Sequence, residues 1–258
     1  MVQYKSPEQI ELIRESSLLV GKTLAEVAKL IKPGVNGKKL DQVAEMFIRD
    51  HQAVPGFKGY QGFPATLCIS LNEQVVHGIP SDRELKDGDI VSIDCGVILN
   101  KYYGDSAYTF AVGEVPDRTA DLLKATKESL YMGIKAATAG NRVGDIGYAV
   151  QHYVEQRGFS VVRELVGHGL GKRLHEKPEV MNYGHRGNGM KLKEGLVICI
   201  EPMVNLGSRF IVQEKDGWTV RTADRMPSAH FEHAVAVRKE QADILSSFDY
   251  IEQVIDKK

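Results

Sequence analysis

An internal repeat constrains this fold most, because both of its copies end on a carboxylate where a core residue belongs. LKDGDIVSID (85–94) matches LKEGLVICIE (192–201) at an offset of 107. Leu, Lys, an acid, Gly, a β-branched pair, Ile and a final acid correspond. Upstream, an offset of 106 aligns Gly34 with Gly140, Leu40 with Ile146, Val43 with Ala149 and Phe47 with Tyr153. Downstream, DSAYTFAV (105–112) resembles EHAVAVRK (232–239): an acid, any residue, Ala, then a strand. A solenoid needs three or more short repeats. The pattern instead predicts one duplicated α+β unit in a single domain (1–258). Its halves, about 6–113 and 117–240, close around a shared curved antiparallel sheet.

Local signals fill in the elements. Ser6, Pro7 and Gln9 form a capping-box start. Apolar residues at helical spacing run from Ile10 to Leu30, and Pro33-Gly34 stops them. Further helices are predicted near Leu40–His51, Arg118–Ala137 and Asp145–Arg157. VPGFKGYQGFP (54–64) reads as an ordered loop. Strands are predicted at Thr66–Leu71, Asp89–Ile98 and Ala107–Val112, with a hairpin excursion at QEKDGWTVRT (213–222) turning at Asp216-Gly217.

The carboxylates then demand an explanation. Asp94 lies inside IVSIDCGVI, and a buried acid is costly unless paired or bound to a cation. A turn centred between Leu99 and Asn100 places Asp105 directly across from Asp94. Like charges so close repel, and a cation between them reverses the sign. Glu201 in LVICIEPM and Glu232 in HFEHAVAV repeat the anomaly in the second half. Two acids suffice for an acid/base dyad; four, related by a repeat, point to two metal ions. A histidine ligand is expected at His168, among the glycines of VGHGLGK. The same glycines are not a phosphate loop, because no G-x-x-x-x-G-K-[ST] is present. HEKPE (175–179) is not H-E-x-x-H either.

Composition bounds the rest. The chain has 258 residues, 33 basic and 34 acidic, a formal charge of −1, and 43% hydrophobic residues. That is an ordinary globular balance with no whole-chain argument for nucleic acid or membrane partners. Three widely spaced cysteines (Cys68, Cys95, Cys199) do not read as a disulfide framework, so a reducing compartment is expected. The first sixteen residues lack an apolar h-region and a cleavage site, so no signal peptide is expected.

Asp94, Asp105, His168, Glu201 and Glu232, in that order, with VVHGIP (75–80), GHGLGKRLHEKPEV (167–180), EKDGWTVRTAD (214–224) and PSAHFEH (227–233), closely resemble methionine aminopeptidases. The resemblance covers about Ser6 to Glu252. It implies the pita-bread fold, whose internal pseudo-two-fold agrees with the repeat. Only 31 residues separate Glu201 from Glu232, too few for the helical insert of type II enzymes, so the short bacterial type I form is implied.

The resemblance further implies that Asp94 binds one of two divalent ions (Co, Mn, Fe or Zn). His168 and Glu201 bind the other, and Asp105 and Glu232 bridge them. His77 contacts the substrate amide or terminal region, and His175 stabilises the oxyanion. Glu201 shuttles a proton from the nucleophilic water. Tyr60, Phe63, Cys68 and Trp218 form the methionine pocket. Leu174 stands where the family often has Phe. The remaining histidines, His51, His152, His185, His230 and His233, receive no site role.

The implied activity is hydrolytic removal of initiator methionine before a small second residue. The substrates are the N-termini of nascent polypeptides. A cytoplasmic monomer that associates with the ribosome is expected. The alternatives are a proline-specific aminopeptidase or prolidase-like hydrolase, and a non-catalytic binding module on the same fold. Against the first, prolidases usually carry a further His in the glycine loop, where this chain has Lys172 or Arg173.

Overall fold

The computed structural model describes residues 2–257. The first helix, α1 (Pro7–Ala28), starts as its capping box requires. The Ser6 hydroxyl accepts from Gln9 N at 3.3 Å, and the Gln9 side chain accepts from Ser6 N at 3.0 Å. Helix α2 (Gly37–Asp50) begins three residues before the expected Leu40, because Asn36 caps it by accepting from Lys39 N. There follow β1 (Val54–Pro55), a 3-10 turn at Tyr60–Gly62, β2 (Leu67–Leu71), β3 (Gln74–Val76), β4 (Ile90–Leu99) and β5 (Tyr102–Ala111). The second half opens with α3 (Asp117–Ala136) and α4 (Val143–Glu155). Helix α4 starts two residues before the expected Asp145, whose carboxylate caps it from inside by accepting from Arg142 N at 2.7 Å.

The remaining elements are β6 (Ser160–Val161), β7 (Gly167–Gly169), β8 (Glu176–Val180), β9 (Val197–Ile200), β10 (Met203–Asn205), β11 (Ile211–Gln213), β12 (Val220–Thr222), β13 (Ser228–His230), β14 (His233–Ala236), β15 (Asp243–Ile244) and α5 (Asp249–Ile255). Every strand pairing among the described residues is antiparallel. The ladders form four sheets: β1-β4-β2 with β5 on β4, β13-β10-β6, β11-β12-β3, and β15-β14-β9-β7-β8.

The repeat recurs in the hydrogen bonds. Gly34 N donates to Leu85 O, and Gly140 N to Leu192 O. Leu85 N donates to Val35 O, and Leu192 N to Asn141 O. Gly88 N donates to Val112 O, and Gly195 N to Val237 O. Gly34, Val35, Leu85 and Gly88 map onto Gly140, Asn141, Leu192 and Gly195 through the offsets of 106–107, and Val112 and Val237 accept the last bond from equivalent strands.

The two halves meet where β5 passes β13 and β14. Glu232 N donates to Ala107 O at 3.0 Å, Ser106 Oγ to Glu232 O at 2.7 Å, and His230 N to Thr109 Oγ1 at 2.9 Å. The 213–222 excursion is a hairpin, with Asp216 Oδ1 accepting from Trp218 N and Thr219 N. Its strand β12 pairs with β3, so a second-half element also completes a first-half sheet.

Strand alternation sorts the side chains. On β4, Val91, Ile93, Cys95 and Val97 enter the main core with Leu24, Leu40 and Ile48 of the helices. Ser92 and Asp94 therefore face the other way. On β9, Ile198 and Ile200 join that core, whereas Val197 and Cys199 lie in a second cluster with Phe63, Cys68 and Leu174. Both carboxylate-bearing faces thus turn away from the main core, toward the second cluster, which Ile10 and Ile13 of α1 also enter. The helix layer is held tight against β5: a Cβ at Gly104 would lie 2.3 Å from the backbone of Ser16 and Ser17, so only glycine fits that crossing.

One expectation is corrected. Asp94 and Asp105 are not directly opposite. The turn residues Asn100 and Lys101 both have positive φ (52° and 69°), so the turn centres between them, one residue later than expected. Asp94 faces Ala107 and Asp105 faces Gly96. The two acids remain on one face as diagonal neighbours. The last strand of this half accordingly spans Tyr102–Ala111 rather than Ala107–Val112.

Candidate active site

In the second half the register differs in a useful way. Ile200 pairs with His233, and one step past the end of that ladder the same register sets Glu201 against Glu232. The junction with β5 brings Asp105 alongside. His168 arrives from β7, which is wedged between β8 and β9. A Cβ on Gly167 would lie 2.3 Å from Cys199 O, and one on Gly169 would lie 2.5 Å from Lys177 O. The glycines flanking His168 are there for strand packing.

All five expected metal ligands converge. His168 Nε2 is 3.5 Å from Glu201 Oε1 and 3.7 Å from Asp105 Oδ2. Donor atoms of Asp105, His168, Cys199 and Glu232 all lie within 4.8 Å of one another. Asp105, His168 and Glu232 are buried, while Asp94 and Glu201 are partly open to the cleft. Asp94 Oδ1, Asp105 Oδ1 and Glu232 Oε1 are buried without a hydrogen-bond partner. Four carboxylates and one imidazole around orphaned oxygens suit a divalent cation, so the residues present fit the metal expected of them.

Electrostatics agree. Burial pushes the Asp94 carboxyl up to about 7. Burial and neighbouring carboxylates hold Asp105, Glu201 and Glu232 well above the usual carboxylate range. Burial, with His175 nearby, lowers His168 to about 3, so its ring is neutral as a ligand must be. Its Nδ1 donates to Gly169 O at 3.0 Å, which leaves the Nε2 lone pair facing the acids.

A cleft of about 510 Å³ opens over these side chains. It is lined by His77, His175, Tyr60, Phe63, Cys68 and Trp218, every substrate residue expected from the sequence. Phe63 and Trp218 meet edge to face at 5.2 Å between ring centres. Leu174 is buried in the same cluster. The Tyr60 hydroxyl lies 2.8 Å from His175 Nδ1, and the His168 and His175 rings are 4.4 Å apart. With Tyr60 donating, the His175 proton sits on Nε2. His77 adopts a left-handed φ of 60°, a strained conformation for a non-glycine residue. Burial, chiefly, lowers it to about 4, so it too is neutral.

Two features escaped the sequence, and a third is sharpened by the structure. His230, given no role, has a buried Nε2 without a partner, 3.9 Å from Glu201 Oε2. Its sequence signal was its place in PSAHFEH, two residues before Glu232. Cys199, two residues before Glu201 in the sequence, has its Sγ within 4.8 Å of donor atoms of Asp105, His168 and Glu232. A buried ion pair, Lys5 with Glu176 at 2.5 Å, ties the N-terminal segment to the residue after His175. No periodicity links positions 171 residues apart.

The profile of metallopeptidase family M24 matches residues 11–239, and with the ligand set it defines the class as a metallopeptidase. Within that class, the chain is 50% identical over 246 residues to methionine aminopeptidase 1 of Bacillus subtilis, covering 95% of this chain and 99% of that one. It is 43% identical to the methionine aminopeptidase of Escherichia coli K12, covering 95% and 94%. A solved methionine aminopeptidase from Thermotoga maritima superposes with a TM-score of 0.94 at 40% identity, covering 96% and 100%. The chain belongs to the methionine aminopeptidases of family M24. Its two-halved architecture is the pita-bread fold. A prolidase from Pyrococcus horikoshii shares that fold at a TM-score of 0.76, with 20% identity and 64% of its length covered.

Proposed function

We propose that this chain hydrolyses an N-terminal methionine from polypeptides whose second residue is small, as a type I enzyme using two divalent ions in a single catalytic domain. The observation that carries the reading is the set of orphaned carboxylate oxygens at the floor of an aromatic-lined cleft. Bound metal would supply Lewis acidity and a water of lowered pKa.

The residues then divide the work. Asp94 would hold one ion and His168 with Glu201 the other, with Asp105 and Glu232 serving both. Glu201, partly open to the cleft, takes a proton from the attacking water and returns it to the leaving amine. His175 presents its Nε2–H to the carbonyl oxygen as charge develops there. His77 contacts the substrate amide or terminus. Tyr60, Phe63, Cys68 and Trp218 enclose the unbranched, polarizable methionine side chain. No described helix is long and apolar enough to cross a membrane. Initiator methionine is exposed as chains leave the ribosome, so a cytoplasmic, ribosome-near monomer suits this substrate.

The test is hydrolysis of Met-Ala, Met-Leu and Xaa-Pro peptides by protein reconstituted with Co, Mn, Fe or Zn, with elemental analysis of each preparation. Met-Ala should be cleaved at least about tenfold faster than Met-Leu. Equal rates would remove the second-residue specificity. Preference for Xaa-Pro would replace the reading with the proline-specific one.

A further inference from the structure

Cys199 is placed where a metal ligand would be. It sits on β9 two residues before Glu201, so by strand alternation its side chain lies on the same face as Glu201, beneath the cleft floor. It is fully buried, and its thiol lies against the Glu232 carboxylate. Its Sγ is within 4.8 Å of donor atoms from Asp105, His168 and Glu232. Two of those residues, each more than nine-tenths buried, carry carboxylate oxygens with no partner. The backbone cannot carry the thiol away. Cys199 pairs with Ala234 on one side, and Gly167 presses on its carbonyl from the other.

We propose that Cys199 is an auxiliary ligand recruited by thiophilic divalent ions, completing a four-donor site of Asp105, His168, Cys199 and Glu232. The inference rests on the metal-centre reading above. Metal–sulfur and metal–oxygen or –nitrogen bonds are about 2.3 and 2.0–2.2 Å, so two donors of one ion lie at most about 4.5 Å apart. The widest pair here needs to close by less than about an ångström. Hard, oxygen-seeking ions such as Mn²⁺ take the carboxylate and imidazole set and leave the thiol protonated. A soft ion such as Cd²⁺ forms the metal–sulfur bond as the thiol proton passes to water. Such an ion is drawn toward Cys199 and away from Glu201, so the chain discriminates between metals by a group outside the expected five ligands.

Full-length metal-free protein is titrated with Co²⁺ and followed in the near ultraviolet for thiolate-to-metal charge transfer, and in the visible for ligand-field bands. Wild type, Cys199→Ser and Cys68→Ser are compared, with Cd²⁺ and Mn²⁺ affinities measured in parallel. The expected result is a charge-transfer band that survives Cys68→Ser and vanishes in Cys199→Ser. Cd²⁺ affinity should fall about tenfold or more in Cys199→Ser, and Mn²⁺ affinity less than about twofold. Ligand-field bands in wild type without a charge-transfer band, or a band retained in Cys199→Ser, would overturn the proposal and leave the metal centre standing. Failure of wild type to bind Co²⁺ at all would overturn both. The cadmium-113 resonance of wild type, in the sulfur-ligated or the oxygen-ligated range, decides the matter should Cys199→Ser not fold.

Discussion

Asp105 sits between the halves, with one oxygen near His168 and the other unpartnered. Its loss should act in opposite directions on two measurements. Asp105→Ala should cut metal affinity by at least about a hundredfold and abolish peptide hydrolysis. The same change removes a carboxylate that repels Asp94 and Glu232, so the metal-free variant should melt no lower than metal-free wild type. Calorimetry of both proteins after chelation checks the second claim; a large drop in Tm would show that Asp105 serves the fold instead. Tyr60 acts one step further out. Tyr60→Phe keeps the aromatic wall and removes the hydrogen bond to His175 Nδ1. It should lower kcat/KM by about tenfold or less with metal content unchanged. An unchanged rate would separate Tyr60 from the orientation of His175.

At the scale of elements, close crossings set the geometry. Helix α1 lies so near β5 that Gly104→Ala would place a methyl 2.3 Å from the Ser16–Ser17 peptide. The expected cost is about 3 kcal/mol, or roughly 6–12 °C in Tm, read by thermal unfolding. A shift under about 2 °C would mean that the helix slides freely on the sheet. The β4–β5 hairpin shows why register escapes a sequence reading. Asn100-Lys101 lacks the glycine that usually marks such a turn, yet both residues are left-handed. A shift of one residue in the turn centre moves each pairing by two positions. The face of each acid survives such a shift and its direct partner does not, so Asp94 and Asp105 share a face as the sequence predicts but pair with Ala107 and Gly96 instead of each other.

For the whole molecule, the carboxylate cluster ties stability to pH and metal. Asp94 has an ordinary value of 3.8, raised to about 7 in the fold. Between those values the folded chain holds a proton that the unfolded chain has released. Stability of the metal-free protein therefore falls as pH rises through that window. Metal requires the ionised acids, so its stabilisation grows over the same window. Melting curves of chelated and metal-loaded protein at about pH 5 and pH 8 should diverge toward high pH. Parallel curves would mean that these carboxylates are not what the metal binds.

The sequence by itself determined the duplication, the helices and the residues proposed as ligands. Each rests on local pattern: capping at Ser6, periodic apolar faces, an acid ending each copy of the repeat. Acids in apolar runs are legible because burying them has a cost that water cannot offset. The tertiary structure alone decided the junction of β5 with β13 and β14, the pairing of β12 with β3, and the Lys5–Glu176 contact. It also decided the placement of His230 and Cys199 against the acids. Those contacts join residues far apart in the chain. Their geometry follows from turn dihedrals and strand packing, which hydrophobic pattern does not encode.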